Sequence, residues 1–234
     1  MRRQARTRRL AFGGGSLAVY EWGQGPTILL VHGWGAHGAH MGKLVEPLVE
    51  AGFRVVSFDA PAHGASSGTT TGLLRFAASI AAVAAASGPL HGVIGHSLGA
   101  GLSLYAWRDW GFDIRRLVLI GSFADGNWFI DAFGQRMGLA PGVVARLRTL
   151  LSRRHPGKLE GTRLSVAEMV RAVDFPTLII HDRDDAVVPF EHSQALARAS
   201  GFARFKGTQG LGHEGPLADP DVIRQVVQFA VSPI

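Results

Sequence analysis

The chain has no cysteine among its 234 residues. Disulfides, thiolate nucleophiles and cysteine-built metal centres are therefore excluded, and cysteine usage says nothing of the redox compartment. The chain also lacks an apolar run near the ~20 residues that a membrane-spanning helix needs. Its longest candidate, Ala77 to Ala86, reads as a short alanine-rich helix. There is no internal repeat and no low-complexity linker, so the length fits one large domain with a sizeable core. The glycine-rich stretch Phe12–Ser16 is not followed by a lysine and a helix, which argues against a phosphate-binding loop.

Apolar residues are plentiful, at 47%, which suits a globular protein. Positive charge is also in excess, at +6, and Arg2, Arg3, Arg6, Arg8 and Arg9 carry five of those charges with no acid among them. Without these five the net charge would be +1. A nucleic-acid-binding domain carries its charge as a patch on the folded body, so no nucleic-acid partner is expected. Residues 1–16 read instead as a disordered basic arm. An export signal would need ~7–15 apolar residues after the arginines, and Leu10-Ala11-Phe12 gives way at once to three glycines. A cytoplasmic protein without a membrane span is the expectation.

Strand and helix patterns alternate. Leu17 to Trp22 alternates as an edge strand would. Thr27–Val31, Phe53–Phe58, His91–Ile94, Arg116–Ile120 and Thr177–His181 are nearly continuous apolar runs, the mark of strands buried on both faces. A short last strand is expected at Phe202–Phe205. Helical spacing marks Met41–Ala51, Thr70–Ala86, the stretch ending near Trp110, Phe190–Ala199 and Asp219–Val231. This order predicts an α/β fold with a mostly parallel sheet and helices on both faces. One segment breaks the alternation. Helix candidates at Asn127–Met137, Pro141–Ser152 and Ser165–Val173 make 123–176 a small helical cap inserted after strand 116–120. Residues 17–122 and 177–234 then form the core.

Gly95-His96-Ser97-Leu98-Gly99 lies between the strand ending at Ile94 and a run of small and apolar residues. A G-x-S-x-G turn between strand and helix lifts a serine to the end of the sheet, where the helix aims backbone N–H groups. Ser97 is the expected nucleophile. A second match, Gly64-Ala65-Ser66-Ser67-Gly68, has no strand before it and no helix directly after it, and reads as loop. A serine needs a base of near-neutral pKa. Of ten histidines, His213 sits in a glycine-rich loop after the last predicted strand. The base needs an acid. Asp185 is preferred because Val187, Val188 and Pro189 can anchor its loop. Asp182 and Asp184 read as turn and surface residues, and Asp125, past strand 116–120, remains the competitor. The backbone N–H groups of Leu98 and Trp34 are the candidate oxyanion donors, and His32 and His63 read as structural. His32, His37, His40 and His63 lack a carboxylate to complete a metal set, and neither metal nor cofactor is expected. Trp34, Trp128, Phe129, Phe133 and Met137 are candidates for an apolar acyl pocket.

These stretches together resemble the α/β-hydrolase fold superfamily, from about Thr27 to the C-terminus. The resemblance rests on His32-Gly33-Trp34-Gly35, Phe58 through Ser66, Gly95–Gly99, Asp185 before Val-Val-Pro, and Gly212-His213. The order Ser97, Asp185, His213 is that of the superfamily. It implies a serine carboxylesterase acting on a small-molecule acyl ester. The same set occurs in thioesterases, peptidases and acyltransferases, and a non-catalytic receptor on the fold is a further alternative. One departure stands out: the residue after Pro61, usually glycine, is Ala62.

Overall fold

The computed structural model describes residues 5–159 and 161–233. The strands are β1 (Arg6–Phe12), β2 (Gly15–Trp22), β3 (Thr27–Val31), β4 (Arg54–Phe58), β5 (Leu90–His96), β6 (Leu117–Ile120), β7 (Thr177–Asp182) and β8 (Ala203–Thr208). They form one eight-stranded sheet in the order β1-β2-β4-β3-β5-β6-β7-β8. The pairs from β4 to β8 are parallel, and β1 and β2 are antiparallel additions at one edge. The apolar runs divide with a period of two, as a pleated strand requires. Leu29, Val31, Val93, Leu117, Leu119 and Ile179 face one layer, and Ile28, Leu30, Ile94, Val118, Leu178 and Ile180 face the other. Both faces are covered, which is why the strands read as unbroken hydrophobic stretches.

The first layer is closed by α2 (Leu73–Ser87), α3 (Leu98–Trp110) and α7 (Phe190–Ala199), through Phe76, Ile80, Tyr105 and Leu196. The second is closed by α1 (Val45–Glu50) and α8 (Pro220–Val231), through Leu48, Val222, Val226 and Phe229. The segment expected as one helix at 41–51 is a tight 3-10 turn, Gly38–Leu44, running into α1. Helix α8 starts where Asp219 accepts from the N–H groups of Asp221 and Val222, with Pro220 in the first turn.

Between β6 and β7 lie α4 (Gly126–Arg136), α5 (Pro141–Arg154) and α6 (Val166–Arg171). The Ser165 hydroxyl accepts from the Glu168 N–H and caps α6. Asp125 and Ser165 form an isolated bridge that brings the starts of α4 and α6 together. The glycine at 134 lets α4 press on α5, since a Cβ there would stand 2.5 Å from a Val144 methyl.

The N-terminal segment departs from the expectation of a disordered arm. Residues 1–4, with Arg2 and Arg3, lie outside the described residues. Arg6–Phe12 is the outer strand of the sheet, so Leu17–Trp22 is second from the edge. Gly13 and Gly14, at φ 52° and 78°, make the two-residue turn that a tight hairpin demands. Leu10 and Phe12 pack against the core, and Arg8 pairs with Glu21 at 2.7 Å. The triglycine that ends the apolar run is thus a hairpin turn. The arginines on the open edge discourage further strand pairing.

Candidate active site

Strands β3 and β5 are neighbours, and Val31 lies opposite Gly95. The loops leaving them therefore emerge side by side, where the chain runs one way from β3 to β4 and the other way to β5. Ser97 sits at that point with φ 53° and ψ −120°, a strained conformation for a residue with a side chain. The two glycines of the turn are required by close approach. A Cβ on Gly95 would stand 2.6 Å from Ala100 Cα, and one on Gly99 would stand 2.3 Å from the His32 carbonyl oxygen. The second match to the pattern behaves as loop. Its Ser66 hydroxyl donates to the Asp59 carbonyl and accepts from the Ala18 N–H at 2.9 Å.

Ser97, His213 and Asp185 meet. The Ser97 hydroxyl donates to His213 Nε2 at 2.9 Å. His213 Nδ1 donates to Asp185 Oδ2 at 2.7 Å. The Asp185 side chain is 1% exposed and that of His213 is 10% exposed. Burial alone would raise the Asp185 pKa. Hydrogen bonds from His181, His213 and the Val188 N–H outweigh it and hold the carboxyl well below its usual range. Asp185 Oδ1 takes the N–H groups of Val187 and Val188, at 2.8 and 2.9 Å, so the Val-Val stretch anchors this acid as its position suggested. Asp125 stands elsewhere: its carboxylate accepts from the Asn127 N–H and caps α4.

The sequence of a family described as alpha/beta hydrolase fold matches residues 26–158 of this chain. The chain belongs to the alpha/beta hydrolase fold family. Among its relatives, the non-heme haloperoxidase of Rhodococcus erythropolis is 28% identical over 87% of this chain and 91% of that protein. The pimeloyl-[acyl-carrier protein] methyl ester esterase of Xanthomonas campestris pv. campestris strain B100 is 29% identical over 90% of this chain and 96% of that one. The solved structure of the esterase EaEST from Exiguobacterium antarcticum shares the fold. It aligns at a TM-score of 0.73 and 20% identity over 94% of this chain and 97% of its own.

In this member of the alpha/beta hydrolase fold family the loops around the elbow are tied by histidines. Burial pushes the His32 pKa down to about 4. Its Nε2 accepts from the Ala60 N–H at 3.0 Å, and Nδ1 donates to the Gly33 carbonyl at 2.7 Å. His63 Nε2 accepts from the Gly35 N–H, and Nδ1 donates to the Pro61 carbonyl. Both histidines thus hold the His32–Gly35 loop, and a Cβ on Gly33 would lie 3.1 Å from Ser97 Cβ. Asp59, 2% exposed, accepts from the Gly38 and Ala65 N–H groups and from the Tyr20 hydroxyl, and so ties the β4 loop to its neighbours.

Three positions, Gly121, His96 and His181, were given no role in the sequence. Gly121 has φ 59°, and a Cβ there would lie 3.3 Å from His213 Cε1 and 3.6 Å from Asp185 Oδ2. Its signal was a glycine directly after an apolar strand. His96, inside the elbow, is buried and kept neutral, its pKa pushed down to about 4 by burial and by the nearby His213. Its Nε2 donates to the His213 carbonyl at 3.0 Å and steadies the base from behind. Asp182, expected on the surface, is 1% exposed and accepts from the Thr208 hydroxyl and the Gly212 N–H. Asp184 accepts from the Gly210 N–H at 2.8 Å. The three acids of 182–185 therefore hold three successive parts of the base loop. His181 is the third and is taken up below.

Trp34, Phe133, Phe129 and Phe123 form a row of rings, with centroid separations of 5.7, 6.4 and 5.1 Å. Trp128 packs on His192, with ring centroids 4.3 Å apart. Met137 ends α4 with 60% of its surface exposed, which gives it no share in an enclosed pocket. Among the described residues, His96, His213 and Glu214 each place one ligand atom within 4.8 Å of the others. Both ring nitrogens of His213 already serve Asp185 and Ser97, so an ion there would break those contacts. No helix among the described residues is long and apolar enough to cross a membrane.

Proposed function

We propose that this chain is a serine hydrolase that cleaves carboxylic esters of small to medium acyl groups through an acyl-enzyme intermediate. The observation that carries the reading is the continuous row from the Ser97 hydroxyl through His213 to Asp185. Ser97 Oγ attacks the acyl carbonyl as His213 Nε2 takes its proton. The imidazolium that forms donates through Nδ1 to Asp185 and returns the proton through Nε2 to the leaving alcohol. Water, deprotonated by His213, then attacks the acyl-enzyme and frees Ser97.

The backbone N–H of Leu98 heads α3 and has no partner within the helix. With the N–H of Trp34 it holds the oxyanion, a contribution of about 3–4 kcal/mol per donor in comparable sites. The Trp34, Phe129 and Phe133 rings line the acyl side, and residues 123–176 act as a compact cap. The named methyl ester esterase relative supports ester chemistry for this site.

A panel of p-nitrophenyl esters of increasing acyl length, with thioester and amide counterparts, tests the reading. Ester cleavage should exceed the other two. Ser97→Ala should lower kcat by more than about 10⁴-fold with an unchanged circular dichroism spectrum, and should lose labelling by a fluorophosphonate. An active, labelled Ser97→Ala protein overturns the proposal. Preference for the thioester moves the activity to that class.

A further inference from the structure

Asp185 serves a second imidazole, which the reaction as drawn does not use. His181, in β7, is fully buried, and its Nε2 lies 3.1 Å from Asp185 Oδ2 and 2.8 Å from the Val188 carbonyl oxygen. Both neighbours are acceptors, so Nε2 carries the hydrogen. On the other side of the ring, Nδ1 is 2.6 Å from the Ser193 hydroxyl on α7. That hydroxyl donates to Nδ1 when the ring is neutral. It is also 3.4 Å from the Ser122 carbonyl at the end of β6. The Phe190 ring closes the pocket edge-on, 5.8 Å from the imidazole.

One carboxylate oxygen, Asp185 Oδ2, thus faces two imidazole N–H groups, taking the hydrogen bond of His213 Nδ1 and lying beside the His181 Nε2–H, which is shared with the Val188 carbonyl. The partner oxygen is committed to two backbone N–H groups. A carboxylate with one fixed oxygen can still tilt about its C–C bond. A donor on the remaining lone pair of Oδ2 removes that freedom and leaves the other lone pair aimed at His213 Nδ1. The aim matters most as His213 gains its proton, because the strength of a charged hydrogen bond depends on its direction. Supporting groups of this kind hold reacting residues to the sub-ångström tolerance that catalysis needs.

We propose that His181 is a positioning residue of this site, setting the orientation of Asp185 through its Nε2–H and itself held by Ser193. The proposal rests on the triad reading above. It predicts that the Nε2–H contact, rather than the bulk of the ring, is what the reaction requires. Glutamine can place an N–H where the imidazole Nε2 stands, and leucine fills a similar volume without a donor.

The experiment compares His181→Gln and His181→Leu in the full chain, using kcat and KM on the best p-nitrophenyl ester. The low-field proton resonance of the His213–Asp185 hydrogen bond is read in the resting protein, and Asp185→Asn identifies it by its loss. His181→Leu should lower kcat about tenfold with KM within twofold, and should move or broaden the low-field resonance. His181→Gln should keep kcat within about threefold of the parent and leave the resonance in place. If His181→Leu does not fold, Ser193→Ala provides the same reading. It frees the ring at Nδ1 and should shift the resonance in the same direction.

Equal kcat and an unmoved resonance in His181→Leu overturn the proposal. So does a loss shared equally by both His181 variants that follows melting temperature while the resonance stays put. The resonance does not depend on ester turnover, so it decides the role of His181 by itself. Failure of the fluorophosphonate to label Ser97 in the parent protein would instead remove the triad reading.

Discussion

Two non-glycine residues among those described hold a left-handed backbone, Ser97 at φ 53° and Ala62 at φ 61°. At Ser97 the strain accompanies the elbow and lifts the hydroxyl toward His213. At Ala62 it accompanies a turn closed by the Ala62 N–H to the Ser67 carbonyl at 3.1 Å. The family's usual glycine would adopt this conformation freely. Ala62→Gly should therefore stabilise the fold by roughly 0.5–1 kcal/mol, the left-handed penalty less the greater entropy of an unfolded glycine. Thermal melting should rise by about 1–3 °C; a fall would show that the turn does not strain the alanine. Gly121 makes the opposite case. Its φ of 59° and the 3.3 Å clearance from the His213 ring leave no easy place for a methyl group. Gly121→Ala should lower kcat at least tenfold by shifting His213, with a smaller effect on KM, as steady-state kinetics on the ester will read.

Each element that meets the site has an end adapted to its neighbour. Helix α4 begins at Asp125, whose carboxylate accepts the Asn127 N–H at 2.9 Å. Asp125→Ala should cost about 1 kcal/mol of stability and leave kcat within about twofold. Asp185→Asn should lose on the order of 10⁴-fold in kcat, as when a triad acid can no longer hold its histidine in the right tautomer. Thermal melts and ester kinetics on the two variants separate a helix cap from a triad acid. Equal losses of kcat would mean that Asp125 shares the acid's role. The connection from β7 to α7 is adapted as a whole, since Asp182, Asp184 and Asp185 each grip a different residue of the base loop. The acids are close in sequence and their partners lie 26 to 30 residues away, so only a parallel β7–β8 pair could bring them together.

Across the molecule, buried neutral imidazoles set the response to acid. His32 and His96 have pKa values pushed from 6.5 to about 4, chiefly by burial. Once unfolded, each takes up a proton below its ordinary pKa, so the unfolded state binds more protons and stability falls as pH drops. The loss begins near pH 6.5 and is complete near pH 4. It should reach on the order of 3 kcal/mol per histidine. Asp182 and Asp185 have the same sign at lower pH. Their depressed pKa values contribute stability above the ordinary carboxylate range that is lost on further acidification. Urea unfolding at a series of pH values should show this slope, and His32→Gln, which keeps an acceptor for the Ala60 N–H, should remove about half of the loss between pH 6.5 and pH 4. A flat stability profile over that window would show that these rings are not held neutral.

By itself the sequence determined what depends on local pattern. Apolar runs such as Thr27–Val31 had to be two-sided strands, and Gly95–Gly99 had to be a strand-to-helix elbow, because no other residues allow the close approach seen there. The choice of Ser97 and His213 as nucleophile and base followed from the same kind of evidence. The tertiary structure alone decided which acid His213 meets, because Asp125 and Asp185 both follow strands and differ only in which neighbours the sheet order provides. It also turned the Arg6–Phe12 segment from a loose arm into a paired strand, since a hairpin gains its stability from cross-strand partners and from the core beneath it. His181, His96, Asp182 and Gly121 gained their roles in the same way, from hydrogen bonds and clearances that exist only once β5, β6, β7 and the base loop are side by side.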